Sequence, residues 1–131
     1  MLFTVSTIKD SLENVTFFVG ANLAAGVDHM VVMLDAPQDA GQPEVAAALD
    51  EHPHVTCIRT TRRDWWGGDR PANLNTRQRT NANWVRSVLE PLRWAEWLFH
   101  VDGDEVACLD RDALAAVPAS ADAVWLAGGE S

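Results

Sequence analysis

Cysteine is scarce in this chain. Cys57 and Cys108 are the only two among 131 residues. They are too few and too far apart for a disulfide framework or a zinc site. The expectation is two reduced thiols, with Cys57 in a strand core, and a cytoplasmic location. No apolar run approaches the ~20 residues that a membrane helix needs, so no transmembrane segment is expected. The start, "MLFTVSTIKD", has neither a basic leader nor a long apolar stretch, and predicts a strand rather than a secretory signal. There is no internal repeat, no low-complexity tract, no phosphate-binding P-loop, no G-x-G-x-x-G and no Ser-His-Asp order. His29, His52, His54 and His100 form no metal-ligand spacing with a cysteine. His52 and His54 bracket a proline and read as solvated; His100 reads as a hydrogen-bonded core histidine.

Positive charge is missing from most of the chain as well. The net charge is −9, which argues against nucleic acid as a partner. Eight of the ten basic residues are arginines between Arg59 and Arg93, opposed there only by Asp64, Asp69 and Glu90. That segment is therefore net positive inside an acidic protein. A solvated, ion-paired helix face accounts for it; so does a local anion site, because guanidinium suits phosphate oxygens.

What is present is 47% hydrophobic and 22% charged, a globular composition of single-domain length. "LFTVSTI" (2–8) predicts a strand. Asp10 and Glu13 have capping-box spacing, and Leu12, Val15, Val19 and Leu23 repeat with helical period up to a stop at Gly26. "HMVVML" is an unbroken apolar run, as in strands covered on both faces. "PEVAAALDEH" predicts a short helix opened by Pro43. "VTCIRT" predicts a third strand, followed by the long loop "TRRDWWGGDRPANLN". Loops of this length in compact domains are usually functional or mobile. Trp65 and Trp66 within it either form a stacking platform or pin the loop by burial. Thr76 to Glu90 predicts a helix with Ala82, Val85, Val88, Leu89 and Leu92 on its apolar face, and Pro91 as a kink or a new start. "WLFHV" predicts a fourth strand, 110–117 a short helix and "AVWLAG" a fifth strand. Trp84, Trp94, Trp97 and Trp125 read as core.

Alternating strands and helices predict an α/β domain: a mainly parallel sheet, helices on both faces, right-handed crossovers. Ligands of such folds sit beyond the carboxyl ends of the strands. "TIKD", "DAPQD" and "DGDE" end the first, second and fourth strands and converge there. In "WLFHVDGDEV", Asp102, Asp104 and Glu105 crowd three carboxylates onto the end of an apolar strand. Like charges so close must be solvated, paired or shared by a cation. Asp102 and Asp104 are hard oxygen ligands suited to Mg²⁺ or Mn²⁺, and such an ion bridges the oxygens of a diphosphate. An exposed acidic turn is the plainer alternative.

The chain resembles the nucleotide-sugar-dependent glycosyltransferases of the GT-A fold, closest to the family 2-like group. "KDSLENVTFFVGANLAAGVDHMVVMLDAPQDAG" matches the group's opening pattern. "RQRTNANWV" followed by "WLFHVDGDEV" matches its later helix and D-x-D. Asp10 departs from the usual Glu. The resemblance implies a glycosyltransferase of the hexosyltransferase type, moving a sugar from a nucleotide-sugar donor to an unknown acceptor. It implicates Thr7, Lys9 and Asp35 in holding base and ribose, and Gln78, Arg79 and Asn83 on a helix facing the nucleotide. Asp102 and Asp104 would bind the divalent metal, Asp102 also the donor. Inverting members use a carboxylate base downstream of the D-x-D, and Glu130 is the only acid after Asp122. The chain then corresponds to the nucleotide-binding half, truncated or lacking its acceptor portion. Two rivals remain. One is a non-catalytic nucleotide-binding or interaction domain. The other is a haloacid dehalogenase-type phosphatase, whose D-x-D closes the first strand rather than the fourth. An EF-hand fails because position six of its loop is Ala107 where glycine is needed.

Overall fold

The computed structural model describes residues 1–92 and 97–103. Within them the order is β1 (Leu2–Ile8), α1 (Leu12–Ala24), β2 (His29–Leu34), α2 (Gln42–Asp50), β3 (Val55–Arg59), α3 (Leu74–Leu92) and β4 (Trp97–His100). The predicted helix over 110–117 and strand "AVWLAG" lie outside the described residues.

All strand pairings are parallel, in the spatial order β3-β2-β1-β4. Two clusters of buried side chains sandwich the sheet. On one face Val15, Phe18 and Val19 of α1 and Val45, Ala46 and Leu49 of α2 meet Ile8, Met30, Val32, Leu34 and Phe99. On the other, Ala82, Val85 and Leu89 of α3 meet Phe3, Val5, Val31, Met33 and Leu98. The fold is thus α/β with helices on both faces. From β1 to β3 the chain steps outward twice with its helices on one face. It then returns past β1 to β4 with α3 on the other. Opposite direction and opposite face give all three crossovers the same hand.

Local chemistry sets the element ends. Ser11, not Asp10, is the N-cap of α1: its side chain accepts from the Asn14 amide, and Asp10 Oδ1 accepts from Ser11 N and Asn14 Nδ2. A hydroxyl one residue nearer the first turn takes the capping position. The helix closes as a Schellman motif, with Gly26 at φ 111° and bonds from Gly26 N to Leu23 O and from Val27 N to Asn22 O. α3 starts two residues earlier and ends two later than predicted. Pro91 lies inside its last turn.

Three assignments to the core are corrected. Trp84, Val88 and Leu92 are 40–44% exposed. The buried face of α3 runs instead through Arg77, Asn81, Ala82, Val85 and Leu89. Among the described residues a single helix, α3, covers this face of the sheet, and these three lie on its flanks. Leu12 of α1 is likewise exposed. Cys57 is half-buried, and that burial pushes its thiol up to about 11.

Candidate functional site at the strand ends

In the order β3-β2-β1-β4 the chain reverses direction between β1 and β4. In open α/β sheets the ligand crevice opens at such a point, beyond the carboxyl ends of the strands. Side chains alternate along a strand. Phe3 and Val5 face α3, and Thr7 follows on that side. Leu98 faces α3, and His100 and then Asp102 follow. Val5 pairs with His100, and Val101 N extends the ladder to Val5 O at 3.1 Å. Two residues on, the same register makes Thr7 level with Asp102. The first and fourth strand ends predicted to converge are therefore neighbours.

The turn after β4 presses onto β1. A Cβ on Gly103 would lie 2.6 Å from Ile8 Cγ2. Glycine there permits a close approach that any other residue obstructs. Ser6 Oγ donates to the Val101 carbonyl at 2.5 Å, tying the same strand ends from the other face. Asp102 is half-exposed, with Oδ1 4.0 Å from His100 Nδ1. His100 is not the hydrogen-bonded core histidine expected: its buried Nε2 has no hydrogen-bond partner among the described residues. Burial holds its pKa below the ordinary value, opposed by the Asp102 carboxylate. Asp104 and Glu105 lie outside the described residues.

Asp35, one residue past β2, is buried and held by two arginines. Arg77 donates from Nε to Oδ1 at 2.8 Å and from Nη2 to Oδ2 at 2.9 Å. Arg70 Nη2 adds contacts of 3.2 Å to Oδ2 and 3.4 Å to the Asp35 carbonyl. The remaining Arg77 nitrogen, Nη1, donates to the carbonyls of Pro71 and Ala72. Two guanidiniums on one carboxylate leave that cluster with one positive charge in excess. Of the arginine-rich segment, Arg70 and Arg77 are thus ion-paired with Asp35, and Arg77 is buried.

Thr7 is buried and accepts from Asn81 Nδ2 at 3.0 Å; Asn81 Oδ1 accepts from Trp65 Nε1 at 2.9 Å. Lys9 is exposed and paired with Asp39 at 2.7 Å. Gln78 is half-buried, while Arg79 and Asn83 are on the exposed side of α3. The residues of α3 that reach the strand ends are thus Arg77 and Asn81, one turn apart. The helical period already seen in Val85 and Leu89, carried back four residues at a time, reaches both. They escaped notice because an arginine and an asparagine do not look like core residues.

Comparison with protein-family models, with curated proteins and with solved structures gives no match. The site therefore has to be read from its own chemistry. Asp102 is a carboxylate of the right kind for a hard cation. Among the described residues no group of three His, Cys, Asp or Glu side chains is arranged to hold a metal ion. A divalent ion there would need Asp104 and oxygens of its ligand to complete its shell. No helix among the described residues is long and apolar enough to cross a membrane.

Proposed function

We propose that this domain binds the diphosphate of a nucleotide-sugar donor at the ends of β1, β2 and β4, in a GT-A-type arrangement, and serves glycosyl transfer to an acceptor. The observation that carries the reading is that the D-x-D strand lies beside β1 at the reversal point, with Asp102 level with Thr7. The polar ledge there combines a half-exposed carboxylate, a buried hydroxyl and an excess of guanidinium charge. Those are the components a metal-bridged diphosphate calls for. Mn²⁺ or Mg²⁺ held by Asp102 and Asp104 would neutralise charge on the departing diphosphate. The protein's own residues would orient the nucleotide: Thr7 through its hydroxyl, and the Asp35–Arg70–Arg77 cluster through its field.

The phosphatase reading is weaker on the same observation. It needs its nucleophilic carboxylate to close the first strand, and the acid nearest the end of β1, Asp10, is exposed and accepts from Ser11 N and Asn14 Nδ2 at the start of α1.

The test is calorimetric titration with uridine diphosphate and other nucleoside diphosphates, with Mn²⁺ and with EDTA. Binding that requires the metal is the expected result, followed by metal-dependent consumption of a nucleotide sugar. Equal affinity under both conditions would sink the metal claim. Hydrolysis of a generic phosphate ester would favour the phosphatase.

A further inference from the structure

Loop 61–73 follows β3 and leads into α3, and three separate ties hold it to the strand ends. Arg77 Nη1 binds the Pro71 and Ala72 carbonyls, and Arg70 reaches Asp35. The third tie is nearer the loop's start. Trp65 Nε1 donates to Asn81 Oδ1 at 2.9 Å, and Asn81 Nδ2 donates to Thr7 Oγ1 at 3.0 Å. Asn81 is fully buried. Its two ends are therefore each used once, the oxygen by the loop and the nitrogen by β1. A primary amide suits this position because it both accepts from an indole and donates to a hydroxyl.

Trp65 packs against the α3-side core and lies edge-on to Trp84, ring centroids 4.9 Å apart. Beyond it the loop is compact but shallow. Gly68 N bonds to Arg62 O at 2.7 Å, Asp69 N to Trp66 O at 3.0 Å, and Gly67 and Gly68 have φ of 61° and 86°. Arg62 and Arg63 are exposed. In the stretch from Thr61 to Asp69 both Trp65 and Trp66 are half-buried, and among the described residues it is Trp65 whose side chain hydrogen-bonds to α3.

We propose that Asn81 is a latch: one buried amide that fixes loop 61–73 and the end of β1 as a single unit. The loop's pose and the environment of the Thr7 hydroxyl are then set together. That the latched ledge holds a nucleotide rests on the reading above; the latch itself does not.

The experiment is limited trypsin digestion of the native chain without nucleotide, cleavage sites identified by mass. Cleavage after Arg62 reports loop release. Cleavage after Arg86, in mid-α3, reports global opening. The variants are Asn81→Ala and Trp65→Phe; the second keeps an aromatic ring and deletes only the donor and part of the surface. Thr80→Ala, on the exposed side of α3, is the control. The rate of cleavage after Arg62 should rise about tenfold in both variants, the change that follows from losing ~1.4 kcal/mol of closure. It should not change in Thr80→Ala, nor in Val19→Ala on the other face of the sheet, which raises only cleavage after Arg86. A rate after Arg62 within twofold of wild type in either folded variant overturns the latch. Failure of the wild type to bind uridine diphosphate with Mn²⁺ would instead remove the nucleotide reading, and the cleavage rate would still decide the latch.

Discussion

Arg77 grips Asp35 side-on, with Nε 2.8 Å from Oδ1 and Nη2 2.9 Å from Oδ2, and both residues are buried. The pair joins the first turn of α3 to the end of β2. Removing one partner of such a pair leaves an uncompensated buried charge, at a cost of about 3–5 kcal/mol. Arg70 remains beside Asp35, so Arg77→Ala should fall near the low end, about 3 kcal/mol in urea unfolding. Arg77→Lys keeps the charge but loses the planar fork and the two carbonyl contacts, and should still destabilise. Asp35→Leu combined with Arg77→Met should cost less than either charge deletion alone. Additive losses in that double variant would show that the pair contributes nothing as a pair.

Gly103 and Ile8 make a second checkable contact. With a Cβ only 2.6 Å from Ile8 Cγ2, Gly103→Ala forces either the turn or β1 to shift. Overpacking of this kind costs about 1–3 kcal/mol. In an Ile8→Ala background the obstructing methyl is gone, and the added cost of Gly103→Ala should drop toward zero. A cost unchanged between the two backgrounds would mean the turn does not press on β1. Nucleotide binding measured on the same proteins would separate displacement of Asp102 from loss of stability.

The fold was legible because its strands are rich in apolar and β-branched residues and alternate with segments of helical period. "LFTVSTI" and "HMVVML" gave their strands to the residue, and alternation with helices gave parallel pairing. The periodicity of α3 was legible too, but it was followed only through apolar residues. Val88 and Leu92 were therefore drawn into the core, while Arg77 and Asn81 were left out of it. Their burial is stabilised by partners remote in sequence, Asp35 and Thr7, which no local pattern displays. The resemblance pointed to Arg79 and Asn83, and the same helix turns those two outward. Trp65 resolved toward the plainer of its two readings, a ring that pins the loop. Its indole hydrogen bond to Asn81 was not legible at all.

The N-terminal end of the sheet should be acid-sensitive. His29 Nε2 lies 2.7 Å from Thr56 Oγ1, and its ring is 5.3 Å from that of Phe3. Burial, and then the nearby His54 and His52, lower its pKa below the ordinary 6.5. The unfolded chain therefore takes up a proton at higher pH than the folded one. Stability should be steady above about pH 6.5 and decline as pH falls through the lower folded value. His100, shifted the same way, adds to the decline. Urea midpoints at pH 7.5 and 5.5 measure it, above the range where carboxylates titrate. His29→Gln should flatten the difference. A midpoint that rises on acidification would contradict the assignment.

The acidic pair "DGD" separates the metal site from a surface turn most sharply. Asn is nearly isosteric with Asp, so Asp102→Asn and Asp104→Asn each remove one charge and should leave the fold intact. If the carboxylates share a cation with a diphosphate, losing either should weaken metal-dependent nucleotide binding by a few kcal/mol, roughly tenfold for each ~1.4 kcal/mol. If they form only a turn, removing one charge relieves repulsion. Stability would then rise slightly and binding would not change. Ligands that bind only the folded state raise the melting temperature by mass action. Wild type should therefore show a higher melting temperature with Mn²⁺ plus uridine diphosphate than with either alone, and both variants almost no shift. Asp102 carries the added consequence that it stands level with Thr7, so Thr7→Val should lose part of the nucleotide's contribution while keeping the metal's. An undiminished shift in Asp102→Asn would remove that carboxylate from the site. The same result in Asp104→Asn as well would reduce "VDGDEV" to a solvated turn at the end of β4.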